Sequence, residues 1–156
     1  EEWSFETDGD VSSSIAVADG TVFVGSNNLY AVDTTTGDQE WVAEVGDSFE
    51  KSPPVVDNGT VFIGNEDGNL YAIDSSNGEQ SWKFETSDQV RSSPTITDGT
   101  VFFGSNDGSF YAANTQTGEE EWSYRTLDKV YSSPTVANDS VYFGSEDTNC
   151  YAIYAE

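Results

Sequence analysis

The chain of 156 residues has no His and no Met, a single Cys, and five basic side chains (Lys51, Lys83, Arg91, Arg125 and Lys129) against 29 Asp and Glu. Without an imidazole, and with one thiol, neither the usual pairing of a nucleophile with a His base nor a Cys/His metal site can be assembled. One Cys also excludes an intramolecular disulfide. Cys150 stands just before Tyr151, as Leu29, Leu70 and Phe110 stand before Tyr30, Tyr71 and Tyr111, so its position predicts a buried, inert thiol. No stretch approaches the roughly 20 apolar residues of a membrane-spanning helix. No signal-peptide pattern opens the chain, and a start at Glu1 reads as a mature or excised segment.

The shortage of cations leaves a net charge of −24. Nucleic acid and anionic membrane surfaces are therefore poor partners, since both require neutralising cations on the protein. At about 1 M salt the screening length falls to roughly 3 Å and self-repulsion largely disappears. The surface thus reads as a halophile-like, acidic one. Aromatic residues make up 13% of the chain, spread from Trp3 to Tyr154, so the charge does not come with the apolar poverty of a disordered protein.

What is present in abundance is repetition. Trp3, Trp41, Trp82 and Trp122 are separated by 38, 41 and 40 residues, and Tyr30, Tyr71, Tyr111 and Tyr151 by 41, 40 and 40. A period of about 40 residues is the mark of a repeat architecture. Each unit holds a short run with serines, a turn such as Asp98-Gly99, and a β-branched and aromatic run such as Thr100-Val101-Phe102-Phe103-Gly104. A hairpin such as Asn65-Glu66-Asp67-Gly68 follows, then a third run such as Leu70-Tyr71-Ala72-Ile73. A Gly turn then leads to the segment carrying Trp. Apolar runs of five residues bounded by turn residues are strands buried on both faces, and four antiparallel strands in about 40 residues form one propeller blade. The fold class is all-β: a propeller of four blades per chain.

The succession Tyr-Ala-Ile-Asp, Asn-Gly or Thr-Gly turn, Trp, Ser-Ser-Pro, and Gly-Thr-Val-Phe-Phe-Gly-Ser resembles the quinoprotein-type (PQQ-like) β-propeller repeat over the whole chain. The resemblance implies that the Ala and Gly of one blade pack against the Trp of its neighbour, so that Ala31, Ala72 and Ala112, with Gly37, Gly78 and Gly118, are docking surfaces for Trp41, Trp82 and Trp122, small residues leaving room for an indole. Trp3 is the fourth member of the series. One domain, 1–156, is expected, with blades at approximately 8–45, 46–86, 87–126 and 127–156, the last completed by a strand at 1–7. That strand closes the ring either within one chain, as four blades, or between two chains exchanging strands, as an eight-bladed homodimer.

Quinoprotein dehydrogenases hold their quinone with calcium-ligating carboxylates and an Asn, a Trp floor and often a disulfide between adjacent cysteines. Here all four Trp occupy the repeat position and no cysteine pair exists. Oxygen-rich hairpins at 65–69, 106–109 and 146–149 offer Ca²⁺ ligands, but turn chemistry accounts for them and the twelve-residue calcium loop is missing. No cofactor is expected; PQQ and Ca²⁺ belong to the alternative reading, a fragment of a PQQ-dependent dehydrogenase.

With Pro53, Pro94 and Pro134 as a column, and Ile15 in their place in the first unit, the position three residues earlier is held by Ser12, Glu50, Arg91 and Tyr131. Everything around it repeats while it varies. Arg and Tyr are enriched in binding hot spots, so this column predicts a partner-binding face. The function expected is a non-enzymatic scaffold or protein-binding repeat module, recognising an unknown protein or small ligand in an extracytoplasmic or cell-surface setting. A structural spacer of a cell-surface protein is a further alternative. From the charge, thermal stability is expected to rise steadily with KCl from millimolar to molar concentration. Melting temperatures across a salt series check this, and undiminished stability at low ionic strength would contradict it.

Overall fold

A computed structural model describes residues 2–49 and 51–155. Among them every regular element is a β-strand. Blade 1 comprises β1 (Ala16–Ala18), β2 (Thr21–Gly25), β3 (Leu29–Asp33) and β4 (Gln39–Ala43). Blade 2 follows with β5 (Val55–Asp57), β6 (Thr60–Gly64), β7 (Asn69–Asp74) and β8 (Gln80–Glu85). Blade 3 is β9 (Thr95–Thr97), β10 (Thr100–Gly104), β11 (Ser109–Asn114) and β12 (Glu120–Arg125), and blade 4 is β13 (Thr135–Ala137), β14 (Ser140–Gly144) and β15 (Cys150–Tyr154). Each is an antiparallel meander in chain order.

The first hairpin of each blade is a tight turn whose two central residues both have positive φ: Asp19-Gly20, Asn58-Gly59, Asp98-Gly99 and Asn138-Asp139. Asn, Asp and Gly are the residues that tolerate this geometry, which matches the twist of the flanking strands. The second strands are apolar on both faces because each blade is sandwiched: Val61, Phe62, Ile63, Val101, Phe102 and Phe103 are all essentially inaccessible. Three clusters join consecutive blades. Phe23, Ala31 and Trp41 of blade 1 pack on Val61, Ile63 and Ile73 of blade 2, and the pattern recurs at the next two junctions.

Within a blade, Phe23, Ala31 and Trp41 lie side by side across β2, β3 and β4. The Ala is small so that the two rings can meet over it, with centroids 5.8 Å apart; Phe62–Trp82 and Phe102–Trp122 repeat this at 5.7 and 5.8 Å. A β-bulge falls beside each of these Trp residues, where the register slips after Ala31, Ala72 and Ala112. Bulges re-aim side chains, and here the indole is aimed at the following blade.

The Gly surface that receives it belongs to the neighbouring blade, the one that follows. Gly78 receives Trp41 and Gly118 receives Trp82, while Gly37 receives Trp3. Each of these indoles donates from Nε1 to a turn carbonyl of the same loop: Trp3 to Thr34, Trp41 to Ser75 and Trp82 to Thr115, all at 3.0 Å. Trp122 Nε1 is buried but finds no acceptor among the described residues.

Cys150 is exposed, not buried as its alignment with Leu29, Leu70 and Phe110 suggested. Those three are covered by the fourth strand of their own blade, opposite Ala43, Phe84 and Tyr124. Among the described residues β15 has no such neighbour. Residues 2–7 dock against blade 1 and belong to no sheet, so the pairing with the last blade expected of the strand at 1–7 is not made by its described residues, and Glu1 lies outside them.

A methyl added at Gly78 would stand 2.7 Å from Trp41 Cε3 on a backbone at φ +76°. Gly78→Ala is therefore expected to cost ~2–4 kcal/mol, from left-handed strain plus overpacking. Gly99→Ala, at φ +82° but with nothing within 4 Å, should cost ~1–2 kcal/mol from backbone strain alone. Denaturant melts of the two variants in molar KCl measure the difference.

Candidate protein-recognition face

The face around the inner strands is built by three sets of contacts that recur from blade to blade. In blades 2 to 4 a serine just before the short inner strand clips it to the end of the second strand. Ser92 Oγ donates to Gly104 O (3.0 Å) and accepts from Gly104 N (2.8 Å), and Ser132 does the same with Gly144 at 2.9 and 2.7 Å. Ser52 accepts from Gly64 N and donates to Ser92 O, both at 2.9 Å. Each serine thus supplies pairing that the short ladder cannot reach.

These clips correct the alignment of blade 2. Ser52 is the counterpart of Ser92 and Ser132, so the proline column is Pro54, Pro94 and Pro134, all buried, and not Pro53. Blade 2 carries one extra residue between Phe49 and Ser52, and Lys51 becomes the counterpart of Arg91 and Tyr131. Glu50 lies outside the described residues.

The second set anchors the residue on the other side of the variable column. Phe49, Val90 and Val130, fully buried, donate their amides to the carbonyls of Ser26, Asn65 and Ser105 in the hairpin of the preceding blade, at 2.7, 3.0 and 3.1 Å. Arg91 and Tyr131 are therefore held between an anchored Val and a clipped Ser, and their side chains leave the core. Arg91 Nη2 reaches Glu66 Oε1 at 2.8 Å. Lys129 Nζ stands 5.7 Å from the Tyr131 ring, and Tyr131 raises its pKa above the usual lysine value. Ser12 is exposed.

The third set stiffens the hairpins. Asp67, Asp107 and Asp147 each accept from the hydroxyl of the tyrosine four residues on, Tyr71 (2.6 Å), Tyr111 (2.8 Å) and Tyr151 (2.6 Å). Asp107 and Asp147 also take the amides of Ser87 and Leu127 in the loop entering their blade, both at 3.1 Å. In blade 1 the hairpin is too short to carry an Asp, and Asp8 reaches in from the preceding loop to Ser26 Oγ (2.7 Å) and Asn28. Leu127, 92% exposed, has its amide clamped in this way and its side chain in solvent. It lines a shallow cleft of about 190 Å³ with Arg125, Lys129 and Asp107. Leu127 was missed in the sequence; its signal is an apolar residue where the preceding units have Gly46 and Ser87, three residues before the anchored Phe49 and Val90.

Trp3, Trp41 and Trp82 are committed to the glycine loops. Among the described residues no group of three or more Asp, Glu or Cys is placed to hold a metal ion.

A family model described as outer membrane protein assembly factor BamB matches residues 1–93 and, again, residues 30–156. The chain belongs to this PQQ-like β-propeller repeat family. It is similar to BamB from Moraxella catarrhalis, with 25% identity and a TM-score of 0.85 over 98% of this chain, but spans only 49% of that one. The computationally designed Ika4 protein matches at a TM-score of 0.82 and 17% identity, over 96% of both chains. Quinohemoprotein alcohol dehydrogenase ADHIIG from Pseudomonas putida HK5 matches at 0.78 and 17%, over 96% of this chain and 33% of its own. Among curated proteins no sequence relative is found. The fold is thus a β-propeller like those of BamB and of the quinoprotein dehydrogenases.

The Asp–Tyr pairs dictate how stability responds to pH. Burial, with the Asp107 contact, pushes the Tyr111 phenol up from 10.0 to about 12, and Tyr71 shifts further the same way. A raised folded pKa means that this stability is complete below pH 10.0 and is lost as pH rises through about 12. Chiefly through the Tyr151 hydroxyl, the Asp147 carboxyl is held down from 3.8 to about 2, so its contribution is present above pH 3.8 and lost as pH falls through about 2. Denaturant midpoints measured against pH should fall on both limbs, and Tyr111→Phe should flatten the alkaline one.

Proposed function

We propose that this chain is a non-enzymatic recognition module that uses a rigid propeller frame to display a variable set of side chains to a protein partner. One observation carries the reading: the column Ser12, Lys51, Arg91 and Tyr131 differs from blade to blade, while in blades 2 to 4 its neighbours on either side are locked by repeated hydrogen bonds. Side chains held on a rigid scaffold lose less conformational freedom on binding, which is how propeller loops and other displayed loops gain specificity. Arg91, Tyr131, Lys129, Arg125 and Leu127 bring cations, an aromatic ring and an exposed apolar tip to one face of a chain of net charge −24. A partner surface that combines carboxylates with a small apolar pocket fits this set.

Membership of a family described by an outer-membrane assembly factor supports a protein-binding role and an extracytoplasmic or cell-surface setting. The fold is shared with a quinohemoprotein dehydrogenase, but the commitment of the indoles to blade docking favours the scaffold reading, which requires neither PQQ nor Ca²⁺.

Affinity capture from the cell envelope in molar KCl, repeated with the variants, tests the proposal. Arg91→Ala and Tyr131→Ala are each expected to weaken capture by about tenfold or more, the loss of ≥1.4 kcal/mol typical of hot-spot residues, with melting temperatures little changed. Calorimetry with PQQ and Ca²⁺ should give no binding heat. Tight quinone binding with dye-reducing activity would overturn the proposal in favour of a dehydrogenase fragment.

A further inference from the structure

The first hairpin of each blade opens on a residue whose type the turn itself leaves undecided. Asp19, Asn58, Asp98 and Asn138 have nearly the same φ, at +49°, +46°, +49° and +50°, so Asp and Asn serve the backbone equally well. Their chemistry differs, because only the amide can be joined to a sugar. Asn58-Gly59-Thr60 is the triplet Asn-x-Thr, the acceptor sequence for an N-linked glycan.

The hydroxyl at the third position separates the complete blades in the same way. In blades 1 and 3, where the turn begins with Asp, Thr21 and Thr100 donate from Oγ1 to Glu40 and Glu121, both at 2.8 Å. Each Glu immediately precedes the Trp of the fourth strand. In blade 2 that position holds the shorter Ser81, and Thr60 Oγ1 has no hydrogen-bond partner among the described residues. The acceptor amide is also within reach. Asn58 and Gly59 are exposed, and Asn58 Nδ2 donates only to Asp57 Oδ2, at 2.8 Å on the surface. Beside them opens a cleft of about 290 Å³ lined by Asn58, Thr60, Ser81, Trp82 and Thr115.

We propose that Asn58 is a glycosylation site, carrying a glycan through Nδ2. In the transfer, Nδ2 bonds to the anomeric carbon of a lipid-linked glycosyl phosphate. The bond from that carbon to the phosphate oxygen breaks, the phosphate leaves with the electron pair, and Nδ2 gives up one proton to a base of the transferase. A requirement for Ser or Thr at the third position is a requirement for a hydroxyl that the transferase can bind. At Thr60 that hydroxyl is free, whereas at Thr21 and Thr100 it is taken by a glutamate. The inference rests on the extracytoplasmic or cell-surface setting proposed above, since such acceptors belong to surface loops of secreted proteins.

The position is compatible with recognition on the other side. Ser75 N donates to Gly59 O at 2.9 Å, which sets the turn beside the glycine turn at one end of blade 2. The hairpin at 65–68, with Arg91 on Glu66, lies at the opposite end of the same meander. A glycan on Asn58 therefore leaves Arg91 and Tyr131 uncovered. Blade 4 repeats the triplet as Asn138-Asp139-Ser140 on an exposed turn. The proposal commits to Asn58, which stays exposed with blade 3 packed on its own blade.

Fractionation of the native cells, followed by mass spectrometry of the chain purified from them, tests the proposal. The chain is expected in the envelope fraction, with the proteolytic peptide containing Asn58 heavier than its sequence and losing sugar units on fragmentation. Asn58→Asp keeps the turn as Asp19 and Asp98 do, and Thr60→Val keeps a β-branched strand residue without the hydroxyl. Each should abolish the added mass with unchanged circular dichroism, while Thr60→Ser should retain it. An envelope chain with an unmodified Asn58 peptide would overturn the modification and leave the setting intact. A chain confined to the cytoplasm would overturn both. Added mass that survives Thr60→Val would also overturn the assignment, because the hydroxyl would then have no part in it.

Discussion

The seating of an indole in the glycine turn of the next blade is the contact on which the rest of the molecule depends. Three features converge on it: a bulge that aims the ring, a residue at positive φ without a Cβ, and a turn carbonyl that takes the Nε1 proton. A Trp at the blade rim would otherwise leave a polar N–H in an apolar junction, and an unpaired buried donor costs ~1–3 kcal/mol. The glycine is required twice over, by conformation and by space. Because ring and turn lie on consecutive blades, this contact fixes the angle between sheets, whereas the ladders fix only the sheets themselves.

With the angle set at the rim, the inner side of each blade is left to polar contacts. The inner strands are three residues long and make too few ladder bonds to hold the chain entering them. Ser52, Ser92 and Ser132 take over, and the anchored Phe49, Val90 and Val130 bind each entering loop to the hairpin before it. Asp–Tyr pairs then hold the hairpins themselves. Between a buried Val and a clipped Ser a side chain has one way to point, which frees the residue type at 91 and 131 from any packing duty. The variability of that column follows from the rigidity around it.

The architecture was legible because it rests on local rules repeated at a constant interval: paired positive-φ turns, five-residue apolar strands and one Trp per unit. What was hidden depended on neighbours that no single repeat contains. Pro53-Pro54 offers two alignments of equal merit, and only the bond from Gly64 N to Ser52 shows that blade 2 carries the extra residue and that Pro54 is the column. Cys150 inherits a buried position from its counterparts, but that burial is supplied by a fourth strand, which β15 lacks. The Trp column was matched to the small-residue turns of a neighbouring blade, but which neighbour is written in no single repeat: Trp3, Trp41 and Trp82 each seat on the Gly turn that follows one unit later. Asp8 is the subtlest case: it belongs to a loop, but supplies the carboxylate that the shortened hairpin of blade 1 cannot.

These displacements share one cause. In a propeller each blade is covered by the next, so the burial of a residue is determined one repeat further along the chain than the residue itself. At interior junctions the displacement is invisible, because every blade has a successor of the same design. Trp3 shows it directly, since it precedes blade 1 yet covers the Gly37 turn of that blade, while Cys150, Ala152 and Tyr142 of blade 4 are exposed. Rim packing thus sets how each blade sits on the next, while the column at Arg91 and Tyr131 varies without a matching change in the Trp–Gly contacts.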